Sequence, residues 1–322
     1  MWQPKLFDED FSAKIVNVAS VPKLSPFRYP GGKTWFVPYI RQWLSPVIRQ
    51  KHNLTPIYPE HFIEPFLGGG SISLTVASEN HARHITMVEL DMDVSAVWQT
   101  VLNVEDGEWL ARRILMFTLT LENVQALLNE TPAIVRDRAF QTIVKNRVNR
   151  GGILAPGAGL LRFGENGRGI LSRWYPSTLA RRIRHIISMR DHFTFIHGEG
   201  LQVLTTHVDD PNAMFFIDPP YTAGRNGKRA GQRLYAHNEL DHARLFDLAS
   251  HMQGDFLMTY DDAEEVRALA AQYGLDTRLV PMSNTHHARM TELLIGRNLD
   301  WVHIHEPEPE MPTEEIIGHI EP

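Results

Sequence analysis

HFIEPFLGGGSISLTVA, residues 61–77, decides the fold. A short apolar run at Phe62 and Ile63 reads as a buried strand, Gly68, Gly69 and Gly70 as a loop, and Ser71 onward as a helix. A strand that runs through glycines into a helix is the unit from which parallel α/β sheets are built. Glycines let a ligand approach the backbone, and a helix N-terminus favours a carboxylate or a phosphate. The dinucleotide pattern G-x-G-x-x-G is not met, because its third glycine is missing. About twenty residues on, the next strand, HITMVE, ends at Glu89, whose carboxylate can accept both hydroxyls of a ribose. Loop and acid together point to a nucleoside-containing cofactor.

The same alternation holds further out. DVSAVWQTVLN reads as a helix, FTFIHGEG as a strand and loop, AMFFIDPPY as a strand ending in a proline-rich turn, and DHARLFDLASHM as a helix. DFLMTY, DDAEEVRALAAQYG, DTRLVPMSN and TELLIGRN follow as strand, helix, strand and strand. This order predicts an α/β fold with a mostly parallel sheet. Residues 105–190 lose the alternation. WLARRILMFTL, NVQALLN, VRDRAFQTIVKNRVN and PSTLARRIRHIIS have helical period, with a glycine-rich loop before the last. The expected organisation is an N-terminal extension (1–26), a catalytic domain in two pieces (27–104 and 191–300), an inserted, mainly helical domain (105–190) and an acidic, disordered tail (301–322).

FRYPGGKTW, residues 27–35, ends like a phosphate-binding P-loop. The first glycine of that motif is replaced by Phe27, and Pro22, Pro26 and Pro30 exclude a central strand upstream. Gly31, Gly32 and Lys33 therefore have another role. In residues 35–52, apolar positions recur with helical spacing, interrupted by Pro38 and Pro46.

Charge is divided unevenly. The 322 residues carry a net charge of -6. Residues 136–190 nevertheless hold twelve Lys/Arg against two acids, and residues 300–322 hold seven acids and no Lys/Arg. Local charge attracts phosphates, so the insert is a candidate nucleic-acid surface. The absence of cysteine excludes disulfides and cysteine-ligated zinc. No apolar run is long enough for a membrane span and residues 1–25 lack a signal-peptide pattern, which predicts a soluble, cytoplasmic protein.

FFIDPPY, residues 215–221, is the second informative edge. Asp218 follows the apolar run Met214–Ile217. Pro219 and Pro220 fix φ and leave carbonyls that can accept from a ligand, and Tyr221 offers a face for stacking.

Taken together, these motifs resemble the Dam-type DNA adenine N6-methyltransferases of the alpha group. Asp218-Pro219-Pro220-Tyr221 is similar to their DPPY catalytic motif and FLGGGS to their F-x-G-x-G cofactor motif. RYPGGK resembles their N-terminal glycine–lysine motif, and VELD their ribose-holding acid. HGEG stands where a G-D motif is expected, with Glu199 in place of Asp. The order of the motifs agrees, over roughly residues 27–298.

The resemblance implies a Rossmann-like methyltransferase sheet, S-adenosylmethionine as cofactor and S-adenosylhomocysteine as product, with no metal. The residues implied around the cofactor are Tyr29, Gly31, Gly32, Lys33, Glu64, Pro65, Phe66, Gly68, Gly70, Ser71, Glu89, Glu199 and Asp218. Lys33 and its glycines are expected at the methionine end. Asp218, Pro219, Pro220 and Tyr221 are the implied catalytic residues. The implied partner is double-stranded DNA bound by a monomer, with a cognate restriction endonuclease as a further partner. Candidates for sequence readout are Arg147, Asn149 and Arg150, because arginine pairs with guanine and asparagine with adenine in the major groove. Arg225, Lys228 and Arg229 lie in a basic, glycine-containing loop expected to close over the target strand. Other acceptors (cytosine N4, RNA, protein) and a binding module without catalysis remain alternatives. The sixteen histidines show no ligand spacing.

Overall fold

The computed structural model describes residues 21–28, 32–220, 240–282 and 290–302. Lys33–Phe36 form a 3-10 turn that leads into α1 (Val37–Leu44) and α2 (Pro46–Lys51). The two prolines expected to interrupt this region instead lie in the first turns of the two helices, where no amide hydrogen is needed.

The elements then run β1 (His61–Glu64), α3 (Ser71–Ser78), β2 (His84–Glu89), α4 (Met92–Leu102), α5 (Val104–Met116), α6 (Leu121–Asn129), α7 (Val135–Val148), α8 (Pro176–Ser188) and β3 (Phe193–His197). They continue with α9 (Gly200–His207), β4 (Ala213–Ile217), α10 (His242–His251), β5 (Asp255–Tyr260), α11 (Glu264–Gln272), β6 (Asp276–Met282) and β7 (Met290–Gly296). The sequence reading assigns no element to α9, an eight-residue helix that buries Leu201, Val203 and Leu204.

Among the described residues the sheet has seven strands in the order β3-β2-β1-β4-β5-β7-β6. The first five are parallel, and β7 runs antiparallel between β5 and β6. This is the Rossmann-like methyltransferase arrangement, in agreement with the expected fold class. β4 shows how the sheet is covered. Met214 and Phe216 face one apolar layer with α1, α3 and α4, while Phe215 and Ile217 face the other with α9, α10 and α11. A strand buried on both faces reads as an unbroken apolar run, as Met214–Ile217 does.

The helices of the insert have no separate core. α7 packs on α4 and α8 on α5, and Phe140, Ile143, Leu179 and Ile183 join the same apolar cluster as Phe62 and Met214. The insert thereby packs on the first layer. One buried polar junction ties the N-terminal helices to the sheet. The Asp255 carboxylate accepts from Trp43 Nε1 and from Arg49, both at 3.0 Å.

Candidate active site

The chain starts the sheet at β1, builds outward through β2 and β3, and then returns to place β4 on the other side of β1. The helix after β1 lies in one layer and the helix after β4 in the other. A crevice therefore opens beyond the carboxyl ends of β1 and β4, where ligands bind in doubly wound sheets. Glu64, the glycine loop, Glu89 and Asp218 all sit at that edge.

The glycine loop is built by its neighbours. The Leu67 amide donates to the Val88 carbonyl at 2.9 Å, and Trp98 Nε1 donates to the Gly68 carbonyl at 3.0 Å. Gly70 adopts φ +60°, and a Cβ there would lie 2.7 Å from the Trp98 ring. Any side chain at Gly70 would therefore displace the loop or the indole. Gly200, where α9 begins, meets the same loop from the other side, with its Cβ position 2.4 Å from the Pro65 carbonyl. Phe66 is half-buried and Ser71 opens α3.

Glu89 accepts from the Gly68 amide and the Asp91 amide, each at 2.8 Å. A carboxylate has about four acceptor positions, so it keeps room for a ribose hydroxyl. Burial pushes its pKa up to about 7, against the lowering effect of the Asp91, Gly68 and Leu90 amides. Glu64 is more enclosed, at 3% exposure. It accepts from the Ser73 amide at 2.9 Å and from the Ser73 hydroxyl, so that it braces the first turn of α3.

Burial raises the Glu64 pKa to about 8, with Asp218 and Glu89 adding repulsion. An unfolded glutamate titrates near 4.3. The folded protein therefore holds a proton that the unfolded chain has released. That stabilisation is full below the unfolded value and is lost as pH rises through about 8. Thermal midpoints are expected to fall between about pH 6 and pH 9 in wild type and to fall less in Glu64→Gln, which keeps an acceptor for Ser73. Equal slopes in the two proteins would remove Glu64 as the cause.

At the end of β4, Asp218 accepts from the Thr259 hydroxyl at 2.8 Å and pairs with the Lys33 ammonium at 3.0 Å. Lys33 also pairs with Glu292 at 2.7 Å. Lys33 and Glu292 are 6% and 2% exposed, and Asp218 22%. Burial alone would lower the Lys33 pKa, but the two carboxylates outweigh it and hold the amine well above its usual range. Lys33 is thus committed to Asp218 and Glu292, whereas the resemblance implies a place at the methionine end of a cofactor. Pro219 is buried and Pro220 half-buried.

Thr259 and Glu292 are absent from the sequence expectations. Glu292 had a signal, since it is an acid inside the otherwise apolar strand TELLIG. Thr259 had none, because threonine is ordinary in a strand.

The remaining candidates are placed as follows. Gly32 is exposed beside Lys33, and Glu199 is exposed where α9 begins. Arg147 and Asn149 are both buried. Arg147 donates to the Pro26 carbonyl and Asn149 to the Ile153 carbonyl at 2.8 Å. Those side chains hold the insert together, which leaves Arg150 as the exposed member of the three. Tyr29, Gly31, Tyr221, Arg225, Lys228 and Arg229 lie outside the described residues. At the opposite end of β1 and β4, ligand atoms of His61, His207 and Asp210 lie within 4.8 Å of one another, a grouping that linear spacing does not reveal. Among the described residues no helix is long and apolar enough to cross a membrane.

No protein-family model matches the sequence, and no curated protein matches it. Solved structures do show likeness. A methyltransferase from Geobacter sulfurreducens is 12% identical over 84% of this chain and 80% of its own, with a TM-score of 0.35. The rRNA methyltransferase aviRa from Streptomyces viridochromogenes is 13% identical over 83% and 85%, at 0.34. Precorrin-6y C5,15-methyltransferase from Geobacter metallireducens is 9% identical over 78% and 87%, at 0.31. At such values the likenesses carry nothing about what this chain acts on, and the site residues must supply that.

Proposed function

We propose that this chain is a sequence-specific DNA methyltransferase that methylates the N6 amino group of a flipped-out adenine. The observation that carries the reading is Asp218-Pro219-Pro220 at the carboxyl edge of β4, beside the glycine loop and Glu89 at the point where the strand order reverses.

The crevice suits S-adenosylmethionine. Asp218 places a carboxylate at its edge for a cationic ligand, and Glu89 keeps acceptor capacity for a ribose. When bound, this cofactor supplies a methyl group on a positively charged sulfur and leaves as S-adenosylhomocysteine.

The chain's own residues orient the acceptor. The N6 lone pair of adenine is delocalised into the ring, so the amino group is a weak nucleophile. Asp218 accepts one of its hydrogens and the Pro219 carbonyl the other, which draws the nitrogen toward tetrahedral geometry and aims its lone pair. As the bond to carbon forms, positive charge grows on the nitrogen, and Asp218 stabilises it. Lys33 alone would cancel that field. Glu292 offsets that, because it holds the same ammonium at 2.7 Å. Thr259 fixes the orientation of the Asp218 carboxylate from β5. The target amino group lies inside a duplex, so the base has to leave the stack, and Tyr221 is the residue expected to stack on it. Double-stranded DNA is the proposed partner, a monomer in the cytoplasm the proposed form, and a restriction endonuclease a candidate partner of the same system.

The test is methyl transfer from labelled S-adenosylmethionine to unmethylated genomic DNA, with total RNA assayed in parallel and modified bases mapped by sequencing. The expected result is label on adenine within one short motif. Label on RNA but not on DNA would overturn the reading.

A further inference from the structure

Three side chains converge at the amino-terminal end of the sheet, away from Asp218. His61 opens β1, His207 is the last residue of α9, and Asp210 lies in the turn between α9 and β4. One ligand atom from each lies within 4.8 Å of the others, and all three residues are half-buried. The rings of His61 and His207 stand 4.9 Å apart at 80°. The backbone that carries them is fixed. The Asp210 amide donates to the His207 carbonyl at 3.1 Å, the Ala213 amide to that of Asp210 at 3.3 Å, and the Gln253 amide to that of Val208 at 2.7 Å. His61 is itself held in the sheet, in register with His84 of β2 on one side and Ala213 of β4 on the other.

Each ligand is oriented from behind. His61 Nε2 lies 2.7 Å from the Thr86 hydroxyl, which can accept its hydrogen and so leave the Nδ1 lone pair toward Asp210. Asp210 Oδ1 accepts from the Asn212 amide at 2.9 Å, while Oδ2 faces His61 Nδ1. Nδ1 and Oδ2 are 3.9 Å apart, too far for a hydrogen bond. Two ligand atoms on one tetrahedral zinc ion lie about 3.4 Å apart, so a small closure brings both onto a common ion. Outer hydrogen bonds of this kind are the usual support of metal-bound histidine and carboxylate. The carboxyl end of α9, where His207 stands, adds the negative end of a helix dipole. We propose that His61, His207 and Asp210 hold a divalent transition-metal ion of the zinc class, with its fourth position left to water. Two imidazoles and one carboxylate suit zinc, whereas magnesium and calcium take oxygen ligands. The ion ties the end of α9 to the start of β1, at the far end of that strand from Glu64. It is therefore structural, takes no part in the proposed methyl transfer and does not depend on that reading.

The experiment titrates zinc into the chelator-treated full chain by calorimetry, for wild type, His207→Gln, Asp210→Asn and His251→Gln. Thermal midpoints without metal control for folding. His251 is an exposed histidine of α10, so its variant controls for zinc held by scattered surface imidazoles. The expected result is one zinc per chain in wild type and in His251→Gln. Free zinc at about 100 times Kd should raise their midpoints by on the order of 4 °C, reversibly on adding chelator. His207→Gln and Asp210→Asn should bind about 100-fold more weakly or worse, since loss of an outer hydrogen-bond partner alone costs about 10–100-fold. Cobalt(II) gives a second readout, the visible absorption of a tetrahedral ion, expected in wild type and lost in His207→Gln. No saturable zinc uptake by wild type overturns the site. Uptake of one zinc that is unchanged in both His207→Gln and Asp210→Asn overturns it as well, because other residues then hold the ion.

Discussion

Asp218→Ala is expected to lower kcat for methyl transfer by about 10²–10³-fold, the size of effect seen when one preorganised group that stabilises transition-state charge is removed. On the proposed mechanism, the substitution removes an acceptor for the amino group and the charge that stabilises positive charge on nitrogen. It also leaves Lys33 paired with Glu292 at 2.7 Å, so the lysine stays neutralised. Affinity for the cofactor is expected to change far less than kcat, because Glu89 and the glycine loop are untouched. Asp218→Asn keeps an acceptor oxygen but loses the charge, and its kcat should fall between those of wild type and Asp218→Ala. Single-turnover assays of the three proteins, with equilibrium cofactor binding alongside, make the check. Full activity in Asp218→Ala would remove the carboxylate from the chemistry.

Lys33→Met should be the most damaging change to stability at the site. It leaves Glu292, at 2% exposure, and Asp218 beside each other without their shared cation. Breaking a buried pair by deleting one partner costs about 3–5 kcal/mol, because the buried charge left behind loses its compensating ion. In a chain of this size that is a drop in thermal midpoint on the order of 5–10 °C. The double variant Lys33→Met/Glu292→Gln removes the stranded buried charge and is expected to recover a large part of the loss. Glu292→Gln alone keeps the Lys33–Asp218 pair and should fold, but its kcat should fall because Lys33 then cancels the charge of Asp218. A Lys33→Met protein as stable as wild type would mean that the three groups do not form a closed network in solution.

Much of this was legible in the linear chain. The apolar run before Asp218, the strand–glycine–helix unit at 62–77 and the position of Glu89 are local patterns. Strand period, turn chemistry and helix starts depend on near neighbours, so the alternation of elements and the two loops at the carboxyl edge could be read before any coordinates. The basic character of residues 136–190 was equally plain.

What the basic residues do was decided by packing. Arg147 looks like any exposed arginine in NRVNR, yet the close docking of α7 against α4 and the segment around Pro26 buries it. Arg150, three residues on, remains exposed. The same holds for the partners of Asp218. Lys33 precedes the sheet, Thr259 lies on β5 and Glu292 on β7, and no sequence spacing relates them. They meet because β5 and β7 are neighbours and because alternate residues of a strand share a face. The sequence by itself determined most of the element types and the two loops at the carboxyl edge of the sheet. Tertiary structure alone decided the strand order that opens the crevice, the ion network around Asp218 and the meeting of His61, His207 and Asp210. The first set depends on short-range sterics and periodicity, the second on contacts between residues far apart in the chain.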